Sequence, residues 1–483
     1  MSAGRARFWL LLLSLGIALS LGFRLGATPI DTSREARTWH VMQGMVESGD
    51  WLVPRVEGEV RLVKPPLFYW STSACAVVLG GADRFALRLP SVLAAIGLAW
   101  LVFRWGRSIG GPELGLLAVS LLWLMALVVS YGRIGLAEME LVLFSNLALF
   151  AFDRALSGSG RRLLPAFALC TALAVLAKAT TALLVIGLPI AVTLLLQRRL
   201  RDAFRWPVLG WVSLGVLVGF SWYVVILAVV PEAWDTLRMA VALPLGLDTG
   251  EVRATGKHYA PFWYFGAKLL SDMLPAILLL PLAVFAAVRT RLWCGDGRRS
   301  FLAVVFLSLF VAISIIPQKQ KHYLLPLMPA LAILIADSAL SLCRRRPVLA
   351  RRLMTTLGVL AALFGAGVLA LLVVFYGDIL GSATWALGAG ILVGLGLIVG
   401  VVRAGLRARP LLLAGLCVTA SLALTAVNYG SLDLWQEQFE AGTVQLREDY
   451  DAARWDRAFE RYPALRDMIG ENRLGHLGAP DDG

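Results

Sequence analysis

The sequence contains few charged residues. Asp, Glu, Lys and Arg make up 16% of its 483 residues, whereas hydrophobic residues make up 58% and the mean hydropathy is +0.74. A soluble domain carries about 25% charged residues. The shortage of charge excludes a soluble enzyme, a disordered chain and a fibrous protein. It is typical of a helical membrane protein with aqueous loops.

Cysteine and lysine are also scarce. The five cysteines are odd in number and scattered, without a CxxC pair, which excludes a disulfide framework and a cysteine zinc cluster. The six lysines and four histidines fall in the loops, or at the helix ends, of one predicted side. Two interpretations stay open: a composition that prefers arginine, or a gathering of phosphate-binding and titratable groups at one external site.

Long apolar runs take the place of charge. About thirteen of them are long enough to cross a bilayer, which predicts an all-α polytopic membrane protein. The first run lacks the cleavage site of a signal peptide, and the short run 67–80 is interpreted as a re-entrant or interfacial helix. The predicted spans are 7–27, 88–107, 112–131, 135–153, 163–178, 179–197, 207–229, 264–289, 300–316, 323–343, 353–376, 383–403 and 410–429.

Arginine clusters set the predicted orientation. Every second join between the runs is rich in arginine, as the positive-inside rule requires of cytoplasmic loops. These joins account for the net charge of +13, and no nucleic-acid partner is predicted. We predict a membrane domain over 1–429, whose first outer loop at 28–87 is catalytic, and a small polar extracytoplasmic tail over 430–483.

Two acidic residues open the first outer loop. Asp31 and Glu35 lie one turn apart where an amphipathic helix begins, and Thr32 to Glu35 has the spacing of a capping box. The acids are therefore either helix caps or groups that deprotonate a hydroxyl acceptor in an external cleft. The apolar face of this helix is expected to lie on the membrane surface, and it contains Ala36, Trp39, Met42 and Val46.

Two lysines lie next to apolar segments. Lys64 precedes two prolines, which fix the approach of its side chain. An ammonium held at the membrane boundary suits a lipid phosphate, although a lysine that only snorkels to the interface gives the same pattern. Lys178 interrupts an apolar stretch and needs an anion or a water-filled cavity.

Three further outer segments combine ionisable groups. Glu138 and Glu140 begin a membrane helix, where the helix dipole favours acids but the apolar surroundings make them costly. His258 ends the outer loop at 231–263 and could bind a metal or an acceptor. Several basic groups crowd the outer join at 318–326, against the charge bias, which indicates a function; they are Lys319, Lys321 and His322, next to Tyr323.

Taken in order, these motifs resemble the GT-C superfamily of polyprenyl-phosphate-dependent glycosyltransferases. The resemblance is strongest to the group of bacterial lipid A aminoarabinose transferases and protein O-mannosyltransferases. It rests on the acidic first loop and on segments 47–54, 64–66, 88–91, 132–133, 138–139, 177–178, 258, 261–264 and 323–326.

The resemblance implies a GT-C fold with about 13 transmembrane helices and a long first periplasmic loop with amphipathic helices. It implies transfer of one sugar from an undecaprenyl-phosphate donor to lipid A, another envelope glycolipid or a polysaccharide, and less readily to a protein. The enzyme is then expected in the bacterial inner membrane with its site facing the periplasm. A lipid or oligosaccharide flippase or transporter, and a polysaccharide ligase, are the alternatives.

The resemblance also implies roles for single residues. The candidate catalytic carboxylates are Glu35, Asp31 and Glu138, and Glu35 is favoured as the base. The lipid phosphate is assigned to Lys64, Lys178, Lys321 and Tyr323, and His258 is a candidate contact for the acceptor or a metal. The family's acidic pair falls on Arg34 and Glu35, and Val63 replaces a frequent glutamate. No cofactor is therefore assigned, and a divalent metal ion is left as an option.

Overall fold

The computed structural model describes most of the chain up to residue 345. The described residues are 3–27, 30, 32–56, 58–62, 64–156, 161–203, 206–230, 233–234, 260–273, 280–281, 284, 297–345 and 348. They fall within one compact unit, Met1–Ala426. The last three predicted spans and the tail lie outside the described residues, and the division at residue 429 stays a prediction.

The described chain is helical apart from one two-stranded antiparallel hairpin, in which Arg55 pairs with Val60. Its strands are β1 (Arg55–Val56) and β2 (Glu59–Val60). The helices are α1 (Ala3–Gly22), α2 (Ser33–Ser48), α3 (Leu67–Leu79), α4 (Arg84–Gly110), α5 (Pro112–Trp123), α6 (Ala126–Tyr131), α7 (Glu138–Leu156), α8 (Leu164–Leu196), α9 (Leu200–Ala203), α10 (Trp206–Val229), α11 (Tyr264–Asp272), α12 (Arg298–Ile315) and α13 (Met328–Arg345), with 3₁₀ turns at Arg161–Leu163 and Lys321–Leu327.

Five helices of the described part are long and apolar enough to cross a membrane. They are Arg84–Gly110, Leu164–Leu196, Pro207–Val229, Arg298–Ile315 and Lys321–Arg345, the last of which includes the 3₁₀ turn. A helix needs about 20 apolar residues to span the hydrocarbon core. The predicted class of polytopic helical membrane protein is therefore confirmed, whereas the number of about 13 spans stays a prediction.

The helix of the first loop, α2, forms as predicted. Thr32 is its N-cap, because the Thr32 side chain accepts a hydrogen bond of 3.2 Å from the backbone N–H of Glu35. Gly49 ends the helix with a φ of +70°, a left-handed conformation that favours glycine. The cap that the Thr32 spacing predicts is thus present.

The apolar face of α2 has a different neighbour from the one predicted. Met42 is fully buried, and it packs in a cluster with Ala76 of α3 and with Ala86 and Leu87 of α4. Trp39 donates a hydrogen bond from its indole N–H to the carbonyl of Ala82. The expectation that this face lies on the membrane surface is therefore wrong, because α3 and α4 cover it.

The short apolar run after the two prolines forms α3, which begins after Pro66 and ends at Gly80. Its 13 residues would extend about 20 Å, which is too short for the hydrocarbon core. One face is buried against the protein, whereas Val78 on the other face is 85% exposed. The predicted short helix is therefore present, and its re-entrant or interfacial position stays a prediction.

Two of the predicted spans join into one helical element. The runs 163–178 and 179–197 form α8, whose backbone leaves helical geometry at Lys178 (φ −163°, ψ 82°). Two helical segments therefore meet at a kink, and the kink coincides with the predicted boundary between the runs. Conversely, the run 112–131 divides into α5 and α6 around Met125, which has extended backbone geometry.

Small residues let α10 approach α8 closely. A Cβ atom at Gly215 would lie 2.7 Å from the carbonyl oxygen of Ala168, and one at Gly219 would lie 2.6 Å from Cβ of Val175. These distances are shorter than any normal contact. The spacing of the two glycines is that of the small-xxx-small pattern through which membrane helices pack.

Candidate functional site

A buried carboxylate lies at the centre of a cluster of basic side chains. Oε1 of Glu138 is 3.5 Å from Nζ of Lys178, 3.6 Å from Nε2 of His322 and 3.9 Å from a guanidinium nitrogen of Arg34. Glu138 and His322 are each about 5% exposed, whereas Lys178 is 25% exposed. We call Arg34, Glu138, Lys178 and His322 the central cluster.

Four separate elements build the central cluster. Arg34 comes from the first turn of α2, and Glu138 is the first residue of α7, where a helix N-terminus favours an anion. Lys178 comes from the kink of α8, and His322 from the 3₁₀ turn before α13. Arg34 also donates a hydrogen bond of 3.1 Å to Oε1 of Gln320. The site therefore exists only when the helices are assembled.

Lys178 and His322 are in direct contact. Nζ of Lys178 lies 3.3 Å from Nε2 of His322, and the tautomer of the ring decides which of its two nitrogens carries hydrogen. Nδ1 is buried and has no hydrogen-bond partner among the described residues, and the same holds for Oε2 of Glu138. Both atoms are therefore buried polar groups that the described residues leave without a hydrogen bond.

Lys64 lies beside the central cluster, in the segment between β2 and α3. Its side chain is within electrostatic range of Glu138, Lys178 and Arg34. Burial is the main cause that lowers the pKa of Lys64 to about 8, with Glu138 acting in the opposite direction. Lys64 therefore carries a positive charge at neutral pH, and the two prolines after it are buried in the protein.

Tyr323 and Lys321 flank His322. The rings of His322 and Tyr323 have centroids 4.9 Å apart in an edge-on arrangement, and Tyr131 lies 5.8 Å from His322. Nζ of Lys321 lies 6.0 Å from the centroid of Tyr131. Like Lys64, Tyr323 is within electrostatic range of Arg34 and Glu138. The residues assigned to the lipid phosphate thus surround the same cluster.

Among the described residues, the charges of this region do not cancel. Arg34, Lys64 and Lys178 contribute three positive charges around the carboxylate of Glu138, and Arg61 adds another near Lys64. Unbalanced cations in a partly buried place are costly unless an anion joins them. The arrangement is therefore suited to bind a phosphate, for which guanidinium and ammonium donors form strong charge-assisted hydrogen bonds.

The structure gives Glu35 a different role from the predicted base. Its carboxylate is buried and accepts hydrogen bonds from Nε and NH2 of Arg88, at 2.8 and 3.2 Å. Oε1 also accepts a bond of 2.7 Å from the backbone N–H of Gly135. Because both carboxylate oxygens of Glu35 already accept hydrogen bonds, this geometry favours a structural role for Glu35 over removal of a proton from an acceptor.

Two of the predicted site residues, Asp31 and His258, lie outside the described residues, as does Val63, which replaces the frequent family glutamate. Within the described part of the chain, no group of three His, Cys, Asp or Glu side chains is arranged to hold a metal ion.

Two residues of the central cluster were not predicted as site residues. In the sequence, Arg34 stands out only because it replaces one acid of the family's acidic pair. In the structure, its side chain contacts Glu138 and Gln320. His322 lies inside the basic segment 318–326, whose unusual outer charge was the available signal. Neither residue's pairing with Glu138 could be inferred from spacing along the chain.

Comparison of sequences shows where the chain is similar to known proteins. Residues 63–226 match the family described as dolichyl-phosphate-mannose-protein mannosyltransferase. A relative from Edwardsiella ictaluri, an undecaprenyl phosphate-alpha-4-amino-4-deoxy-L-arabinose arabinosyl transferase, is 28% identical over 309 residues, which are 62% of this chain and 54% of the relative. A Proteus mirabilis protein of the same name, numbered 2, is 26% identical over 71% of this chain and 61% of its own. The chain thus spans little more than half the length of such relatives.

Comparison of structures decides the fold. The crystal structure of ArnT from Cupriavidus metallidurans bound to undecaprenyl phosphate superposes with a TM-score of 0.69, at 18% identity, over 88% of this chain and 78% of ArnT. The fold is that of ArnT. The apo structure of ArnT gives a TM-score of 0.66 at 19% identity. With the sequence relatives, the ArnT fold supports the predicted resemblance to GT-C glycosyltransferases that use polyprenyl phosphates.

Proposed function

We propose that this chain is a membrane glycosyltransferase that moves one sugar from an undecaprenyl-phosphate donor to an acceptor of the cell envelope. The observation that carries the proposal is the excess of positive charge around the buried Glu138 carboxylate. Such a site suits a lipid phosphate at the membrane boundary. The names of the sequence relatives and the undecaprenyl phosphate bound in the ArnT crystal structure point to the same donor class.

The proposed reaction is a direct displacement at the anomeric carbon of the donor sugar. An oxygen of the acceptor forms a bond to this carbon while the bond from the carbon to the donor phosphate oxygen breaks. The leaving polyprenyl phosphate gains negative charge as it becomes a monoester, which carries about −1.5 to −2 at pH 7. Cations that are already in place stabilise this charge without reorganisation.

We assign the leaving phosphate to Lys64, Lys178 and Arg34, with Lys321 and Tyr323 as further donors at the edge of the cluster. The ring of His322, whose buried Nδ1 has no partner among the described residues, can join them. Lys178 and Arg34 are held in place by Glu138 at 3.5 and 3.9 Å. Positioned donors of this kind are usually the largest single contribution to such catalysis.

Glu138 has a second proposed role, through Oε2, which has no hydrogen-bond partner among the described residues. A hydroxyl acceptor must lose a proton as it attacks, and Oε2 of Glu138 can receive it. A phosphate acceptor brings its own anionic oxygen and needs no base. Asp31 remains a candidate for the same task, whereas the bonds of Glu35 assign that residue elsewhere.

The proposed setting follows from charge and fold together. The arginine-rich joins support a position of the first outer loop, and with it the central cluster, on the periplasmic face of the inner membrane. Lipid A, another glycolipid or a polysaccharide is the proposed acceptor class, and a protein is less favoured. The membrane domain over 1–429 would contain the whole site.

The experiment is a transfer assay with the full chain in lipid nanodiscs. The donor is undecaprenyl phosphate carrying 4-amino-4-deoxy-L-arabinose, the acceptor is lipid A, and the product is measured by mass spectrometry. We expect the wild type to transfer the sugar, K64A and K178A to lose about 10²-fold or more in rate, and K268A, outside the cluster, to match the wild type. Donor translocation without transfer would favour a flippase and contradict the proposal.

A further inference from the structure

A second buried ion pair lies behind the central cluster. The guanidinium of Arg88, on α4, binds the carboxylate of Glu35 through two nitrogens, and its NH1 donates a bond of 2.8 Å to the carbonyl of Leu25. Both charged side chains are about 5% exposed. The pair therefore joins the end of α1, the first turn of α2 and the start of α4.

The same pair holds the segment that leads into α7. Oε1 of Glu35 accepts a hydrogen bond from the backbone N–H of Gly135, three residues before Glu138. NH1 of Arg133 donates to the carbonyls of Ser20 and Leu21 at 2.9 and 2.8 Å, and the hydroxyl of Ser91 donates to the carbonyl of Ile134. Residues 132–137, the loop before α7, are thus fastened to three helices.

Gly135 marks how closely this loop approaches its neighbours. A Cβ atom at this position would lie 2.5 Å from Cγ of Leu87 and 3.1 Å from Oε1 of Glu35. A side chain at this position would therefore force the loop, Leu87 or the Glu35 carboxylate to shift. Glycine lets the backbone N–H reach Glu35 without such a shift.

We propose that Glu35 is a positioning residue, which fixes Glu138 and Arg34 relative to each other through the Arg88 pair and the Gly135 amide. One of its neighbours in sequence is Arg34, and the loop that it binds ends at Glu138. The buried Glu35 carboxylate therefore fixes the positions of both Arg34 and Glu138, whose side chains are 3.9 Å apart in the central cluster. This inference rests on the proposed function for its effect on catalysis, but not for its effect on the loop.

The physical test begins with the loop itself. Hydrogen–deuterium exchange of peptides covering 132–140 is measured in detergent for the wild type, E35Q and R88Q. We expect both variants to exchange faster there, because each leaves one buried charge without its partner. E47Q, an exposed position on α2, and R84Q, one turn before Arg88 on α4, are the matched controls and should exchange like the wild type.

The double variant separates positioning from base catalysis. In E35Q/R88Q neither buried charge remains. The amide oxygen that E35Q introduces can still accept the hydrogen bond from the backbone N–H of Gly135. We expect its exchange and melting temperature to lie nearer to the wild type than those of R88Q. In the transfer assay E35Q and R88Q should each lose about 10- to 100-fold in kcat, as small misplacements do, with a donor KM within about twofold of the wild type. The double variant should recover part of the loss.

Two results would overturn the inference. One is an unchanged exchange of 132–140 in both single variants, which would show that the pair does not hold the loop. The other is a set of activities in which E35Q and E35Q/R88Q are both inactive while R88Q is fully active. Such activities would identify Glu35 as a general base. Faster exchange of the loop in a protein whose wild type transfers no sugar would instead contradict the proposed function and leave the pair's hold on the loop established.

Discussion

Nζ of Lys178 lies 3.3 Å from Nε2 of His322, although 144 positions separate the two residues in the sequence. The kink of α8 falls at Lys178 itself, so the residue that leaves helical geometry is also the one that reaches His322. Glu138 contacts both side chains. We call Glu138, Lys178 and His322 the triad of the proposed site. Its side chains contact one another, and one of them lies at a backbone kink.

Glu138 is expected to be the most sensitive position of the triad. E138Q removes the carboxylate that contacts both Lys178 and Arg34, so two cations lose this partner and the proposed base for a hydroxyl acceptor is lost. We expect transfer to fall about 10²–10⁴-fold and the free energy of unfolding to fall by about 1–3 kcal/mol. The checks are the transfer assay and thermal melting, with the exposed E59Q as control. Near wild-type transfer by E138Q would remove Glu138 from the mechanism.

The titration of Lys64 should make the transfer activity fall at alkaline pH. Its lowered pKa of about 8 means that the side chain is charged below this pH and loses its charge as the pH rises through it. Phosphate binding should weaken accordingly, so kcat/KM for the donor should fall about tenfold for each pH unit above about 8.

K64R provides the control for this fall in activity, because a guanidinium stays charged throughout the range. Its profile should be flat where that of the wild type falls, whatever its absolute rate. A wild-type profile that stays level to pH 10, or an identical fall in K64R, would show that Lys64 does not carry the titration.

The close approach of α10 to α8 should make Gly219 intolerant of a side chain. G219A places a methyl group 2.6 Å from Cβ of Val175, and such overpacking costs about 1–3 kcal/mol. G210A, on the same helix with open space around the added atom, is the matched control and should gain slightly from helix propensity. Melting temperatures in detergent should therefore move in opposite directions. Equal melting temperatures for the two variants would mean that the helices do not pack as described.

Much of the architecture could be predicted because bilayer insertion leaves a strong signal in composition. Apolar length predicts the helices, and the Thr32 spacing predicts the start of α2. The face of α2 was misjudged because a moderately apolar stripe looks the same whether lipid or protein covers it. Only the fold shows that Met42 packs on α3 and α4.

The site could be predicted in part for a related reason. Lys64, Lys178 and Glu138 stood out because ionisable groups next to apolar runs are costly. Glu35 stood out for the same reason, but spacing cannot show that Arg88, 53 positions away, is its partner. Arg34 was discounted because it replaces an acid, and its contact with Glu138 depends on how two distant helices meet.

The orientation of the chain has its own test. Reporter fusions at residues 50, 295 and 450 should read outside, inside and outside, because the arginine-rich joins are retained in the cytoplasm. A fusion at residue 104, next to an inner arginine cluster, provides an internal reference. A cytoplasmic signal at residue 50 would place the central cluster on the wrong face for an envelope acceptor.

The most direct test of the account is equilibrium binding of undecaprenyl phosphate to the full chain in nanodiscs, followed by native mass spectrometry. A charge-assisted hydrogen bond to phosphate contributes about 1.5–3 kcal/mol, so K64A and K178A should each weaken binding by about 10- to 150-fold, while K268A binds like the wild type. The same loss should appear at reduced size in K321A, which lies at the edge of the cluster. Equal affinities for the wild type, K64A and K178A would contradict the claim that this cluster binds a polyprenyl phosphate.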